Sequence, residues 1–291
     1  MAVFNLGSIN IDLVYTMKAF PVPGETLAAA AFQRLPGGKG ANQSVALAAA
    51  GAKVFHIGAM HREDIWLSEY LAETGVDLSH LQQGETPTGH AIVMVNAEGE
   101  NQIILNPGAN AGIDMARATA TLADAGSDDW ALLQNETNGG AEFVAAARKA
   151  GMKIAYSAAP FEADVTLELL PQVDLLIVNA IEAEALMAAT GTDAAGLGVD
   201  HLVITRGGDG AEYYGVAGHH SQQAHAVRVV DTTGAGDCFF GYFLATLDAG
   251  GDAPTALARA VAASALQVTR PGAAMAIPTA AEVTTFLEEN A

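Results

Sequence analysis

The chain has 291 residues, 51% of them hydrophobic, so it is long enough to bury a sizeable core in one or two α/β units. Its formal net charge of −20 argues against nucleic acid or an anionic membrane surface as a partner. We expect no signal peptide and no membrane span, because no uncharged apolar run approaches the roughly 20 residues that cross a bilayer. The one cysteine, Cys238, cannot form an internal disulfide, which favours a reducing, cytoplasmic location.

The first half of the chain predicts strands and helices in alternation, with extra strands inserted. Strands are predicted at 2–7 and 53–58, and helices at 40–50 and 65–74. Further β-type runs at 13–17 and 25–34 are split by a loop that carries Pro21 and Pro23. Residues 90–95 and 102–105 flank a glycine-bearing loop, which is typical of a β-hairpin. These inserted strands indicate a small second sheet.

The second half alternates more regularly. Strands are predicted at 130–134, 153–156, 175–178 and 201–205, with helices at 141–150 and 182–189. Such alternation predicts an α/β fold with a doubly wound, largely parallel sheet flanked by helices. The glycine-broken segment 190–200 indicates one truncated crossover. Ligands in such sheets bind at the carboxyl ends of the strands, where we expect the motifs below to meet.

The loop 231–237 is the most informative motif. It follows a β-type run at 226–230 and leads into a buried helix, so it predicts a strand, a small-residue turn and a helix start. The free N–H groups of such a start, at Gly234, Ala235 and Gly236, favour an anion. Asp237 adds a carboxylate at the same point, which suggests a base acting on the group that attacks a phosphate.

Two motifs near the N-terminus carry polar groups suited to hydroxyls. Asn10 and Asp12 are two apart and face one side of an extended chain, although an Asx turn is an alternative interpretation. Glycine-rich residues 37–43 open a helix whose Lys39 and Asn42 share a face, or they form only a turn. Glu136 ends another strand.

Two later motifs suit a nucleotide. Asn179 and Glu182 share one helix face and suit water-mediated Mg²⁺, but they also fit a helix N-cap with its capping-box glutamate. Residues 205–210 could bind phosphates or ribose, or form a hairpin turn. The histidines show no metal-ligand spacing, so we interpret them as surface or packing residues. A dinucleotide oxidoreductase is excluded because no glycine fingerprint follows a strand.

Taken together, residues 7–12, 23–26, 37–43 and 231–237 resemble the ribokinase-like family of carbohydrate kinases from residue 3 to about 287. The resemblance implies one catalytic domain, residues 1–291, with a β lid at about 13–35 and 89–105 that also forms a homodimer contact. It implies ATP-dependent phosphorylation of the 5-hydroxyl of D-ribose, with Asp237 as base and the N–H groups of residues 234–237 as anion hole.

The resemblance also implies the remaining site residues. The sugar would be bound by Asn10, Asp12, Gly38, Lys39, Asn42, Glu136 and Asp237. The nucleotide would be bound by Asn179, Thr205, Gly207, Gly208, Gly210 and Gly236. Mg²⁺ would be held through water by Glu182. A K⁺-type cation would be held by Asp231, Thr233, Gln267, Arg270 and Gly272.

The chain departs from the family pattern in three places. Ser157 stands where an asparagine near the phosphates is common, Ala276 replaces a hydroxyl at the cation site, and the 190–200 crossover is short. Two alternatives therefore stay open: the same chemistry on a fructose-like sugar or a nucleoside, or a sugar- or nucleotide-binding protein without catalysis.

Overall fold

The computed structural model describes residues 1–290, whose strands and helices are as follows. The strands are β1 (Val3–Leu6), β2 (Asn10–Thr16), β3 (Ala31–Gly37), β4 (Val54–Ile57), β5 (Ala59–His61), β6 (Gln82–Gly84), β7 (Gly89–Val95), β8 (Asn101–Asn106), β9 (Trp130–Gln134), β10 (Lys153–Ser157), β11 (Leu175–Asn179), β12 (His201–Thr205), β13 (Ala211–Gly215) and β14 (Gly218–Gln222). The α-helices are α1 (Lys39–Ala49), α2 (Ile65–Glu73), α3 (Met115–Ala120), α4 (Gly140–Lys149), α5 (Ala163–Leu169), α6 (Ala180–Thr190), α7 (Ala235–Asp248), α8 (Ala253–Gln267) and α9 (Ala280–Glu289).

The large sheet has the strand order β14-β13-β12-β11-β10-β9-β1-β4. Its strands from β12 to β4 run parallel, and β13 and β14 are antiparallel. Side chains of a strand alternate between the faces, so Val3 packs in one core and Phe4 in the other. Helices α1, α7 and α8 cover the first face, and α3, α4 and α6 cover the second. This confirms the predicted doubly wound α/β fold.

The lid sheet has the order β3-β2-β7-β8 and is built from the strands inserted in the first half of the chain. Strand β2 leaves the large domain at Asn10, so Asn10 and Asp12 lie within a strand and not in the turn after β1. Of the two interpretations of this pair, the structure therefore shows the extended chain and not the Asx turn. Alternation puts Asn10 and Asp12 on one face of the lid sheet and Ile11 and Leu13 on the other.

One strand prediction before the motif loop was also wrong. Residues 226–230 form no strand, and the chain enters the loop from an irregular segment. The large sheet ends at β14, and the main-chain N–H of Val230 donates to Val268 O at the end of α8, at 2.7 Å. With no adjacent strand to pair with, a β-type sequence cannot form a ladder. The motif loop is therefore fixed by α8 and not by a strand end.

The predicted truncated crossover is confirmed, because the segment between α6 and β12 holds only a short 3₁₀ turn, Ala194–Leu197. Helices α3, α5, α8 and α9, the short sheet of β5 and β6, and the β13–β14 hairpin were not predicted. Within residues 1–290, no helix is both long and apolar enough to cross a membrane.

Helices α1 and α7 approach each other closely through a glycine. A Cβ atom on Gly241 of α7 would overlap the Cβ of Ala46 in α1. At the start of α1, a Cβ on Gly40 would likewise overlap the main chain of Gly7, after β1. These contacts place the first turns of α1 and α7 side by side at the carboxyl edge of the sheet.

Candidate active site

Helix α7 begins in a turn that leaves main-chain donors free. Gly234, the N-cap, has a φ of 74°, a left-handed conformation that a glycine adopts at little cost. The N–H of Ala235 already donates to Thr232 O at 3.2 Å, and the helical ladder starts with Cys238 N to Gly234 O. Among residues 1–290, the N–H groups of Gly236 and Asp237 have no such acceptor. Two free donors at a helix start are suited to bind an anion.

Asp237 is buried beside this anion site and is held by two amides of α1. Asn42 Nδ2 donates to its Oδ2 and Gln43 Nε2 to its Oδ1, each at 2.9 Å. Burial raises the pKa of Asp237 to about 6, although nearby Lys39 and the two amide donors favour the charged form. A carboxylate with a raised pKa in a cleft is suited to accept a proton near neutral pH.

The face of the lid sheet that carries Asn10 and Asp12 adds further polar groups that are suited to hydroxyls. Asn110 Nδ2 donates to Asn10 Oδ1 at 2.8 Å and so fixes that side chain. Burial raises the pKa of Asp12 to about 6; the charge of Glu136 adds to the rise, and Lys39 opposes it. Asn42 has a buried Oδ1 without a hydrogen-bond partner among residues 1–290. An orphaned acceptor of this kind is suited to a substrate hydroxyl.

Glu136 links the strand ends to the start of α1. Its Oε2 accepts from Ser8 Oγ at 2.5 Å and from the main-chain N–H of Lys39 at 3.1 Å. Lys39 Nζ lies 4.0 Å from the other carboxylate oxygen. Gly38, just before the helix, has a φ of 93°. The polar groups predicted to bind hydroxyls thus lie together around Asp237.

Two adjoining cavities extend from Asp237 along the sheet edge. The smaller, about 220 Å³, is lined by Lys39, Glu182 and Asp237 among others. The larger, about 440 Å³, is lined by the glycine loop after β12, including Gly207, Gly208 and Gly210. Both are bounded by Thr205 and Gly236. The combined space fits an extended ligand whose anionic part lies at the start of α7.

Asn179 and Glu182 form the capping box that was one interpretation of their spacing. Glu182 N donates to Asn179 Oδ1 at 3.0 Å, and Asn179 N donates to Glu182 Oε2 at 2.7 Å. Burial raises the pKa of Glu182, while the Asn179 N–H and Lys39 lower it. The pair also lines the smaller cavity, and one carboxylate beside open space fits a Mg²⁺ ion that keeps most of its waters.

The loop after β12 is the hairpin turn between β12 and β13, the other interpretation of residues 205–210. Arg206 Nε donates to Glu212 Oε2 at 2.7 Å, across the hairpin. This guanidinium is already paired, so it does not face the cavities as a free phosphate ligand. The glycines after it line the larger cavity with main chain.

Asp231 closes the motif loop onto the segment after α8. Its Oδ1 accepts from the N–H and the hydroxyl of Thr233, and its Oδ2 accepts from the N–H of Gly272 at 2.9 Å. These donors lower the pKa of Asp231 despite partial burial. Gln267 Nε2 donates to the Thr233 and Ala273 carbonyls, and Arg270 pairs with Glu282. Both carboxylate oxygens of Asp231 thus accept hydrogen bonds, and the binding of a monovalent cation at Asp231 stays a prediction.

Sequence reasoning missed the residues that support this site from behind. Gln43 lies within the glycine-rich motif but was given no role, and Asn5 and Gln134 were assigned only to strands. The available signal was a polar residue in an otherwise apolar buried strand, which normally has a bonded partner. Asn110, which holds Asn10, lies in a 3₁₀ turn with no pattern that would have identified it.

A buried carboxylate beside a helix start with free N–H groups, at the carboxyl edge of a parallel sheet, is typical of an α/β phosphotransferase. The sequence of residues 2–280 matches the family described as pfkB family carbohydrate kinase. The chain belongs to this family, which confirms the resemblance found in its motifs.

Named relatives agree with the family assignment. The chain is 35% identical to the ribokinase of Haemophilus influenzae over 97% of both chains. Its fold matches the crystal structure of ribokinase from Thermotoga maritima with a TM-score of 0.88 and 31% identity, covering 99% of each chain. It also matches Arabidopsis thaliana ribokinase complexed with ribose and ATP, with a TM-score of 0.86, 28% identity and 99% coverage of each.

Proposed function

We propose that the chain is an ATP-dependent kinase that transfers the γ-phosphoryl group to the 5-hydroxyl of D-ribose. The observation that carries this proposal is the constellation around Asp237. A buried carboxylate lies between polar groups suited to hydroxyls and two free N–H groups suited to a phosphate. The ribokinase relatives, one of them solved with ribose and ATP, support ribose as the acceptor.

In the proposed reaction, Asp237 takes the proton of the sugar hydroxyl as its oxygen attacks the γ-phosphorus. The new sugar O–P bond forms while the bond from the γ-phosphorus to the bridging oxygen breaks, and ADP leaves. The N–H groups of Gly236 and Asp237 stabilise the charge of the transferring group. Lys39 lines the same cavity and adds a positive charge. The chain thus contributes mainly positioning and electrostatic stabilisation.

The proposed nucleotide site is the pair of cavities, with Asn179 and Gly236 at the phosphates and Thr205, Gly207, Gly208 and Gly210 further out. Glu182 would hold Mg²⁺ through water. When bound, that ion neutralises phosphate charge and helps to orient the nucleotide.

The sugar site is proposed to comprise Asn10, Asp12, Gly38, Lys39, Asn42 and Glu136. A coupled ATP-consumption assay over pentoses, hexoses and nucleosides tests the acceptor. D-ribose should give the highest kcat/KM. Faster turnover of fructose or inosine would replace ribose with that acceptor, and absence of ATP consumption with every acceptor would favour a binding protein.

The orphaned Oδ1 of Asn42 gives a sharper test of the sugar site. Asn42→Leu removes both the acceptor and the donor to Asp237, so the KM for ribose should rise and kcat should fall. The matched control is Leu47→Ile in the same helix, buried in the core and outside the cleft. A wild-type KM in Asn42→Leu would contradict the assignment of Asn42.

We also propose a homodimer and a cytoplasmic location. The face of the lid sheet opposite Asp12 carries exposed apolar side chains, with Phe32 54% and Ile104 58% exposed. Tyr15 packs against Phe32 there, with ring centroids 4.9 Å apart and the ring planes tilted by 40°. A cavity of about 400 Å³ on the same face is lined by Ile11 and Leu13. Burying this apolar area in a dimer is favourable.

The cytoplasmic location is supported by Cys238 being free and buried.

A further inference from the structure

Asp237 is the first member of a chain of buried polar side chains that continues away from the substrate cleft. Gln43 Nε2 donates to Asp237 Oδ1 at 2.9 Å, and Gln43 Oε1 accepts from Gln134 Nε2 at 2.8 Å. Gln134 Nε2 also donates to Asn5 Oδ1 at 2.9 Å. Gln43 and Asn5 are fully buried, and Gln134 is 3% exposed. None of these three side chains lines either cavity.

The chain continues from Asn5 to a buried histidine. Asn5 Nδ2 donates to Ser44 Oγ at 2.8 Å and to Gly40 O at 2.9 Å. Ser44 Oγ lies 2.9 Å from His56 Nδ1, and His56 Nε2 lies 3.1 Å from Gly7 O. Strands β4, β1 and β9 and helix α1 each supply a member, so the chain of side chains ties three neighbouring strands to the helix that holds the base.

The donors and acceptors of these side chains allow only one direction for the series of hydrogen bonds between Asp237 and His56. The carbonyl of Gly7 can only accept, so His56 Nε2 must carry the proton. Burial lowers the pKa of His56 to about 4, so the ring is neutral and Nδ1 is an acceptor. Ser44 therefore donates to His56 and accepts from Asn5. Asn5 must then turn its oxygen to Gln134, and Gln134 its NH₂ to Gln43. Each amide orientation follows from its neighbour.

This direction determines how the Gln43 amide faces Asp237, at the other end of the hydrogen-bond series. With Oε1 of Gln43 taken by Gln134, its NH₂ faces the carboxylate of Asp237. A flipped amide would put an oxygen against that carboxylate and would repel it. A cluster that served packing alone would need no such agreement among five side chains. Buried polar networks are favourable when their members are satisfied together, and in this one only Gln134 Oε1 lacks a hydrogen-bond partner among residues 1–290.

We propose that Gln43 is a positioning residue for the reaction, which orients the carboxylate of Asp237 and stabilises its charged form. Gln134, Asn5, Ser44 and His56 hold the Gln43 amide in the orientation that this task requires. The inference rests on the proposed role of Asp237 as the base. It adds residues outside the cleft, none of which touches the substrate.

Other charges also act on Asp237 and must be kept constant in a test. Lys39 of α1 lowers its pKa, and Glu136, after β9, raises it. Cys238 follows Asp237 on α7, and burial keeps this thiol protonated. None of the variants below changes these groups, so a shift in the pH profile reports the hydrogen bonds.

The first test replaces Gln43 with methionine, which keeps the size of the side chain and removes the donor. We expect kcat to fall about tenfold, less than the full loss of a general base, because Asp237 remains. The acidic limb of the kcat profile should move to higher pH by about one unit, since the carboxylate loses a donor. Ribose affinity, measured by calorimetry, should stay near wild type. Val45→Ala, the neighbouring buried position, is the matched control and should not move the limb.

The second test acts at a distance and serves also if Gln43→Met fails to fold. Ser44→Ala breaks the link between Asn5 and His56 while leaving Gln43, Gln134 and Asp237 in place. The acidic limb should shift in the same direction by a smaller amount. A wild-type limb in Gln43→Met overturns the proposal, as does an equal shift in Val45→Ala. If Ser44→Ala folds and its acidic limb is that of wild type, the role proposed for Asn5, Ser44 and His56 is overturned.

The failure of this inference can be told apart from failure of the proposed function. If Asp237→Asn keeps wild-type turnover, Asp237 is not the base and the proposed mechanism fails. If Asp237→Asn is inactive while Gln43→Met keeps the wild-type rate and pH profile, only the positioning role of Gln43 is lost.

Discussion

Asn42 and Asp237, 195 positions apart in the sequence, are joined by a hydrogen bond of 2.9 Å from Nδ2 to Oδ2. This contact connects the first turn of α1 to the first turn of α7. It leaves Asn42 Oδ1 free to accept from a substrate hydroxyl, beside the carboxylate that would take the proton of an attacking hydroxyl. One side chain can therefore orient both the sugar and the base.

Replacing Asp237 with asparagine tests the base. We expect kcat to fall by at least about a hundredfold, the usual loss when a general base is removed, while ribose still binds. Stopped assays for turnover and calorimetry for binding measure the two effects. Asp248→Asn is the control, because Asp248 is also a buried carboxyl group of α7 but lies at its far end. Unchanged turnover in Asp237→Asn would contradict the proposed role of Asp237 as the base.

The pH profile should show an acidic limb. The base acts as a carboxylate, and its pKa is raised to about 6, so turnover should fall as the pH drops below about 6 and level off above 7. Asp12, with a pKa also raised to about 6, should steepen the limb of kcat/KM. Asp12→Asn should then make that limb shallower while the limb of kcat stays in place. A flat kcat profile from pH 5 to 8 would contradict this assignment.

Gly236→Ala should give a stable but inactive protein. A Cβ on Gly236 meets no atom within 4 Å, so the fold accepts it, and alanine favours a helix more than glycine does. The new methyl group would enter the space shared by the two cavities and displace the phosphates. ATP affinity and kcat should both fall while the melting temperature is kept or raised. Gly126→Ala, which also meets nothing within 4 Å, is the control.

A monovalent cation at Asp231 predicts a salt-specific rate. Turnover should be severalfold higher in K⁺ than in tetramethylammonium at equal ionic strength, because a large organic cation cannot fit among the oxygens near Asp231. Ala276 is buried and, by the family resemblance, stands where a hydroxyl is common, so we expect the dependence to be moderate. Equal rates in the two salts would refute a cation site. A cation swap is preferable to a variant because Asp231 also holds Thr233 and Gly272.

If the protein is a dimer through the lid sheet, a charged residue placed on the outer face of that sheet should halve the mass of the particle in solution. Ile104→Asp, or Phe32→Asp, should convert a dimer to a monomer in light scattering after size exclusion, since a buried charge without a partner is costly. Val216→Asp alters an apolar residue outside the lid sheet that is even more exposed, and this variant should stay dimeric. A monomeric wild type would rule out the dimer at once.

Much of this fold could be predicted from local patterns. Strands β9 and β12 were predicted with their observed bounds, because apolar runs between polar loops in a parallel sheet carry their own signal. The run at 226–230 failed for a physical reason: a strand needs a neighbour, and the sheet had already ended at β14. The sequence of a segment alone does not show whether the edge of a sheet is available to pair with it.

The site was predictable only in part. Motifs with unusual composition, such as the glycines before Asp237 and those around Lys39, were visible in the sequence. The partners of Asp237 were not, because the hydrogen bond from Gln43 joins positions 194 apart. Likewise, no pattern in the chain shows that Ala235 would use its N–H in a turn to Thr232, leaving two donors for an anion.

The contact between Gly241 and Ala46 fixes the spacing of α1 and α7, and with it the gap between acceptor and donor. Because neither helix belongs to the lid sheet, we expect this gap to stay the same if the lid sheet moves when substrates bind. Such a movement would then only need to retain the sugar and exclude water. We expect a larger residue at position 241 to push α1 and α7 apart. The protein would then bind the two reactants too far apart to react.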